Sequence, residues 1–148
     1  MRYAYPVRME PDETGELIVQ FPDVPEALTS GADEAEALAE AEDCLTAALG
    51  GYIERHRPIP IPSPAEGQPA VVLPPLVAAK LALYEALRES GLSNVALAGR
   101  LGVTEAIVRR LLDLDHRSHL GQVDAALRAL GKRLTIEVRD AACGACGG

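Results

Sequence analysis

Over the first twenty residues apolar and polar positions tend to alternate, and after them the apolar spacing becomes helical. Tyr3, Tyr5 and Val7 share one face of a run that continues to Pro11, and residues 16–21 (ELIVQF) form a second β-rich run. Asp12-Glu13-Thr14-Gly15 between them carries turn chemistry, so the two runs predict a β-hairpin. Pro22 and Pro25 end the second strand. A short third strand is expected over residues 27–29, with Ser30-Gly31 as punctuation after it. Residues 33–55 then place Ala37, Leu38, Ala41, Leu45, Ala48, Leu49 and Tyr52 at steps of three and four. That spacing predicts one helix with an apolar stripe against a sheet and Glu40, Glu42 and Asp43 facing water. Asp33 is placed to cap its first amides, Glu34 and Glu36 suit the positive end of the dipole, and Arg55, His56 and Arg57 suit the negative end.

Pro58-Ile59-Pro60-Ile61-Pro62-Ser63-Pro64 cannot be helical, because each proline lacks the amide a helix needs. Residues 65–69 read as an exposed turn, and Ala70-Val71-Val72-Leu73 as a short buried strand able to complete the first sheet. Pro74-Pro75 closes this unit. The boundary is placed there, giving domains over residues 1–75 and 76–140 and a flexible tail over 141–148. The second domain opens with an amphipathic helix over residues 76–90, through Val77, Lys80, Leu81, Tyr84 and Leu87, stopped by Gly91. Two short helices follow, then a helix over residues 122–130 ended by Gly131. Residues 133–139 alternate strictly and predict a strand with Leu134, Ile136 and Val138 on one face.

Residues 93–113 (SNVALAGRLGVTEAIVRRLLD) carry the most specific local pattern. With Gly102 as the turn, Ala98 falls four residues earlier, where a larger side chain would strike the second helix. Leu97, Leu101, Val103, Val108 and Leu111 fall where two short helices must bury against each other and against the preceding one. Ser93 and Thr104 are placed to cap them. This is the layout of a helix-turn-helix that reads duplex DNA; a plain αα-hairpin shares its apolar spacing but not its small residue and glycine register. Thr104, Glu105 and Ala106 lie at the end of the second helix that enters the major groove, and Arg109 can reach a guanine edge or a phosphate. Arg110 and Arg117 suit phosphates, with Asn94, Ser118 and His119 as polar contacts from the motif's edges. Readers of this kind act as dimers on paired half-sites, and the strand over residues 133–139 offers a surface for that pairing through Leu134, Ile136 and Val138. The same strand could instead close the first sheet within one chain.

Charge at first contradicts this reading, since the chain carries −8. Residues 1–65, however, hold 4 basic and 13 acidic side chains (−9), while residues 66–148 hold 10 and 9 (+1). Such an asymmetry implies two units with different partners. Hydrophobic residues make up 48% and aromatics 3%, without tryptophan, so the core must be aliphatic. No apolar run approaches the ~20 residues of a bilayer span, and the opening MRYAYPVRMEP lacks the layout of a signal peptide, so a soluble cytoplasmic protein is expected. The three cysteines do not make a disulfide framework. Cys143-Gly-Ala-Cys146 has the spacing of half a zinc site that His116 and His119 could complete, but a glycine-rich tail explains it as well, and no metal or cofactor is expected.

The stretches Glu16-Leu-Ile-Val-Gln-Phe21-Pro22-Asp23-Val24-Pro25, Ala27-Leu28-Thr29-Ser30-Gly31-Ala32 and Glu34-Ala35-Glu36-Ala37-Leu38 together resemble the signature of HicB-family antitoxins. The proline-rich segment, the helix-turn-helix and ALGKRLTIEV (residues 129–138) resemble later parts of the same family, so the likeness covers nearly the whole chain. It implies an α+β fold: an N-terminal partial RNase H-like β-β-β-α-β domain followed by a small helical helix-turn-helix domain with a C-terminal strand. It further implies that the first domain binds and blocks HicA, a small basic toxin that cleaves mRNA, while the second binds the promoter DNA of its own operon. An acidic half complements such a partner electrostatically. Phe21, Asp23 and Glu26, with the acidic helix face, are the expected toxin contacts. Two positions depart from the family pattern: Glu26-Ala27 stands where a glycine commonly follows the proline, and Glu36 interrupts an acidic-Ala pair.

An RNase H-like fold raises the question of nuclease chemistry. Glu10, Asp12, Asp23 and Glu34 are the available carboxylates, but they fall at turn and cap positions with no two-metal arrangement, so a non-enzymatic binding protein is expected. The rival reading is a helix-turn-helix regulator without a toxin partner, whose acidic domain senses a small ligand in a pocket of its own.

Overall fold

In the computed structural model, which describes residues 3–140, the chain runs β1 (Ala4–Pro6), β2 (Arg8–Pro11), β3 (Leu17–Gln20), β4 (Leu28–Gly31), α1 (Glu34–Glu54), β5 (Ala70–Val72), α2 (Pro75–Ser90), α3 (Asn94–Leu101), α4 (Glu105–Leu112) and α5 (Leu120–Ala129). The fold is α+β, with the strands in the N-terminal half. Among the described residues no helix is long and apolar enough to cross a membrane.

The expected hairpin is β2–β3, paired from Arg8↔Gln20 to Pro11↔Leu17. Its turn is organised by Asp12, whose Oδ1 accepts from the Thr14 amide (2.7 Å), the Thr14 hydroxyl (2.7 Å) and the Glu16 amide (3.1 Å). β4 adds to β3 antiparallel, from Leu17↔Gly31 to Gln20↔Leu28. The first apolar run is not one strand, however. It divides at Val7, whose amide donates to Pro69 O (2.9 Å), and β1 pairs with β5 (Ala4↔Val72, Tyr5↔Val71, Pro6↔Ala70) in a separate ladder. β5 therefore completes a ladder with β1 rather than joining β2–β3–β4. Alternation fixed the buried face, since Tyr3, Tyr5 and Val7 are all buried, but alternation carries no information about which partner each half of the run will take.

α1 starts where expected. The Asp33 carboxylate accepts from the Glu36 amide (2.8 Å), and the Glu36 carboxylate accepts in return from the Ala32 amide (2.7 Å), closing a reciprocal capping box. Glu36, the departure from the family pattern, is thus part of the helix start. Ala37, Ala41, Leu45, Leu49 and Tyr52 are the buried stripe, and it lies against β4 and β3.

α2 joins the two halves. Buried residues from Tyr3 to Leu127 form one continuous apolar core, and α2 contributes Ala79, Leu81, Leu83, Tyr84, Ala86 and Leu87 to it. Toward the N-terminal half the Tyr84 hydroxyl donates to Arg57 O (2.8 Å), Arg88 to His56 O (2.5 Å) and the Tyr3 hydroxyl to Glu85 (3.5 Å). Toward the C-terminal half, α2 packs against α4 and α5. The residues expected to form a last strand, 133–139, carry no regular secondary structure. Leu134 is half-buried against the core, whereas Ile136 and Val138 are exposed. Strict alternation says which residues share a face; a strand also needs a backbone ladder, and among the described residues none forms along this segment.

Candidate functional site

Two regions gather the residues singled out by sequence. The first is the α3–turn–α4 unit. The Ser93 hydroxyl accepts from the Ala96 amide (3.1 Å) and the Thr104 hydroxyl from the Ile107 amide (3.4 Å), so both helices are capped by the expected residues. Gly102 takes φ +68°, a left-handed conformation that costs a residue with Cβ about 1 kcal/mol, and the Val103 amide returns to Ala98 O (3.0 Å). Ala98, Leu97, Val108 and Leu111 are buried, and Leu101 and Val103 pack partly against them.

On the outer side of this unit, Thr104, Glu105, Arg109 and Arg110 are exposed, with Ala106 partly so. Arg109 Nε lies 3.7 Å from Glu105 across one helical turn. Arg117 and His119 are exposed beyond the end of α4. Ser118 is committed locally, its hydroxyl donating to Arg110 O (3.3 Å) and lying 3.2 Å from His116 Nδ1. Asn94, Glu105 and Arg109 form one side of a cleft of about 930 Å³ whose other side is the C-terminal half of α1, at Gly50, Gly51 and Glu54.

Behind α4 lies a feature with no assigned role in the sequence. Lys80 is fully buried, and its ammonium donates to three backbone carbonyls, Arg110 O (3.0 Å), Asp113 O (2.6 Å) and His116 O (2.5 Å). Burial pulls its pKa below the ordinary lysine value, against the opposing pull of the Asp113 and Asp115 carboxylates. The ammonium fastens the last turn of α4, and the loop after it, to α2. The signal was a single lysine in the apolar run VAAKLAL, legible as unusual but not as a clamp, because its partners are main-chain atoms thirty and more residues away.

The second region is the loop between β3 and β4. Phe21, Val24 and Ala27 are buried at every third position, held by turns in which the Val24 amide donates to Phe21 O (3.1 Å) and the Ala27 amide to Val24 O (2.9 Å). Of the three expected toxin contacts, Phe21 therefore anchors the loop from below. It helps to line a shallow depression of about 250 Å³ with Arg8, Gln20, Pro25 and Leu28. Asp23 binds the proline-rich segment, accepting from the Ser63 amide (2.8 Å) and hydroxyl (2.6 Å). Glu26 accepts from the Tyr52 hydroxyl (2.8 and 2.9 Å to its two oxygens) and pairs with Arg57 at 3.7 Å. The Arg57 guanidinium also stacks on the Tyr52 ring, 4.5 Å from its centroid.

The Tyr52 hydroxyl bond, with help from Arg57, holds the Glu26 carboxyl below its ordinary value of 4.5. A carboxyl held lower in the fold than in the unfolded chain favours folding above that ordinary value, and the contribution is lost as pH falls through the lowered one. The Glu26 carboxyl carbon, followed by NMR, is accordingly expected to titrate below 4.5 in the native chain and to move toward that value in Tyr52→Phe. A native midpoint at or above 4.5 would mean that the Tyr52 bond is not formed in solution.

The carboxylates considered for nuclease chemistry do not converge. Asp12 serves the hairpin turn, Asp23 holds Ser63, and Glu34 lies in the first turn of α1, while Glu10 lies on β2. Among the described residues no three His, Cys, Asp or Glu side chains gather as metal ligands. Cys143 and Cys146 lie outside the described residues.

Comparison with known proteins bears on both regions. A family model described as a HicB-like antitoxin of bacterial toxin–antitoxin systems matches residues 4–82, which takes in the strands, α1, the β3–β4 loop and the first half of α2. Antitoxin HicB 1 of Photorhabdus laumondii subsp. laumondii is 41% identical over 134 residues, 90% of this chain and 86% of its own length. Antitoxin HicB of Escherichia coli K12 is 38% identical over 133 residues, covering 89% and 96% respectively. That of Pseudomonas fluorescens Pf0-1 is 38% identical over 141 residues, 94% of each chain. With a family match across more than half of the sequence and these alignments along nearly all of it, the chain belongs to the HicB-like antitoxins of bacterial toxin–antitoxin systems.

Proposed function

We propose that this antitoxin neutralises a HicA-type toxin, a small basic mRNA-cleaving protein, through its acidic N-terminal half, and represses its own operon through α3 and α4. The division of labour follows the two units, residues 1–75 and 76–140. In the first, a β2–β3–β4 meander backed by α1 is read as a partial RNase H-like fold used for binding. The charge of −9 over residues 1–65 suits a cationic partner, speeding encounter and covering an RNA-binding surface. The surface offered is the β3–β4 loop, with Asp23 and Glu26 presented over the Phe21 anchor.

The observation that carries the second half is the α3–α4 turn itself. Two capped helices of eight residues, a left-handed glycine between them and a buried alanine at the crossing are what a DNA-reading helix-turn-helix requires. In this reading Thr104, Glu105, Ala106 and Arg109 address base edges, and Asn94, Arg110, Arg117, Ser118 and His119 address phosphates. A modest basic balance makes one unit a weak binder, so two copies are needed, joined through the segment that carries Leu134, Ile136 and Val138.

Co-expression with the small open reading frame beside its own is expected to yield a stable complex and to relieve that neighbour's toxicity. Arg109→Ala should leave this intact while weakening discrimination between operator and unrelated duplex by about 1–3 kcal/mol. Arg110→Ala should weaken binding to all duplexes alike and lower the salt dependence by about one counterion per subunit. Failure of the neighbour to co-purify would remove the toxin-binding half of the proposal. Unchanged DNA binding in both arginine variants would remove the other half.

A further inference from the structure

We propose that Glu105 and Arg109 act as one reading head, whose adjacent carboxylate and guanidinium select a single G·C base pair in the major groove of the operator. The inference rests on reading α3 and α4 as a helix-turn-helix, and it names the base pair that α4 addresses.

Glu105 is the first residue of α4 and Arg109 stands one turn later, so the two side chains leave the helix on one face. Arg109 Nε lies 3.7 Å from Glu105 Oε1, and the side chains are 63% and 46% exposed. That separation makes an ion pair but exceeds hydrogen-bond length, so the donors of one and the acceptors of the other are left for a third group. Neighbouring side chains do not compete for it. The Thr104 hydroxyl is engaged by the Ile107 amide, Ala106 has no polar side-chain atom, and Val108 is buried. Arg110 is exposed about 100° further around the helix, where it suits a phosphate.

Across the major groove a G·C pair shows two acceptors, guanine N7 and O6, and then one donor, the cytosine N4 amino group. A guanidinium beside a carboxylate shows the complement, donors followed by an acceptor. An A·T pair breaks the match, because adenine N6 puts a donor before the guanidinium and thymine O4 puts an acceptor before the carboxylate. The carboxylate also carries a penalty here, since phosphates on both sides of the groove repel it. Glu105 therefore lowers affinity for every duplex, and only a cytosine amino group beneath it offsets that loss. A charge placed in this way contributes selectivity rather than affinity.

Glu105 also suits the positive end of the α4 dipole and stands beside Arg109, so the test must separate base reading from a merely positioning role. The native full chain first selects duplexes from a randomised library, and the variants are then compared on the selected sequence. Glu105→Ala and Arg109→Ala are expected to lose preference at the same G·C pair, each by about tenfold or more. Glu105→Ala should in addition bind unrelated duplexes more tightly, and Arg109→Ala more weakly. Replacing the cytosine of that pair by 2-pyrimidinone, which lacks the N4 amino group, should weaken the native chain about tenfold and leave Glu105→Ala unaffected. Loss of preference at two different pairs, at an A·T pair or at none overturns the proposal. So does a native chain indifferent to 2-pyrimidinone, which would leave Glu105 only holding Arg109 in place. If the native chain selects no sequence from the library, it is the DNA-reading proposal itself that has failed.

Discussion

Lys80→Met is expected to lower the melting temperature by about 10 °C, corresponding to about 3 kcal/mol for a chain of this size, and, under the proposal that α3 and α4 read DNA, to abolish operator binding. Methionine matches the lysine stem closely enough to leave no large cavity, so the change isolates the ammonium. What disappears is three charge-assisted bonds, to Arg110 O, Asp113 O and His116 O. The carbonyls are not orphaned. Arg110 O keeps the Asp113 amide and the Ser118 hydroxyl, Asp113 O keeps the His116 amide, and His116 O keeps the Ser118 amide. Release from the cost of burying a charge also offsets part of the loss. The net effect is therefore well below the sum of three strong bonds, but it falls on the segment that fixes the C-terminal end of α4. Circular-dichroism melting gives the first number and a duplex titration the second. An unchanged melting temperature would mean that desolvation of the ammonium cancels its bonds. Preserved operator binding would mean that α4 is placed by its apolar face alone.

The contrast between what could and could not be foreseen follows the range of the interactions. Asp12, Asp33, Ser93, Gly102 and Thr104 act on residues two to four positions away, and each turn or cap they form was legible from the chain. The capping role of Glu36 was equally local and follows from the D-x-x-E spacing, although the family comparison had marked it only as a departure. Lys80, Glu26 and Asp23 instead meet partners 26 to 40 residues distant, and nothing in the local pattern names those partners. Periodicity found the buried faces but not the strand partners. It placed Tyr3, Tyr5 and Val7 inside yet missed the division at Val7, and it gave residues 133–139 a strand's alternation where no ladder forms among the described residues. Phe21 shows the same limit from the other side. Its place in the family signature suggested a contact residue, and in the fold it is 2% exposed and holds the β3–β4 loop from below.

Gly31→Ala is expected to destabilise the N-terminal half by about 3 kcal/mol or more, the upper range for forcing one added methyl into a packed interior. In the sequence this glycine reads as turn punctuation, yet its φ is not among the positive ones. Its reason is the close approach of two backbones. A Cβ at Gly31 would collide with Ala37 N and fall 2.6 Å from Ala37 Cα and 2.9 Å from the Glu36 carbonyl carbon. All three are main-chain atoms in the first turns of α1, so no side-chain rotamer can relieve the clash. Either the end of β4 must leave β3, where Gly31 pairs with Leu17, or the start of α1 must lift from the sheet and weaken the Asp33–Glu36 capping box. Both routes disturb the scaffold beneath the β3–β4 loop, so toxin binding should fall with stability. Gly50→Ala, inside α1 itself, supplies the opposite sign. Nothing lies within 4 Å of its added Cβ, and alanine in a helix interior is favoured over glycine by about 1 kcal/mol, so this variant should melt a few degrees higher. Denaturant unfolding of the two variants side by side separates close packing from backbone freedom. Equal and small effects at both positions would show that α1 does not lie against β4 as closely as the Gly31 contact requires.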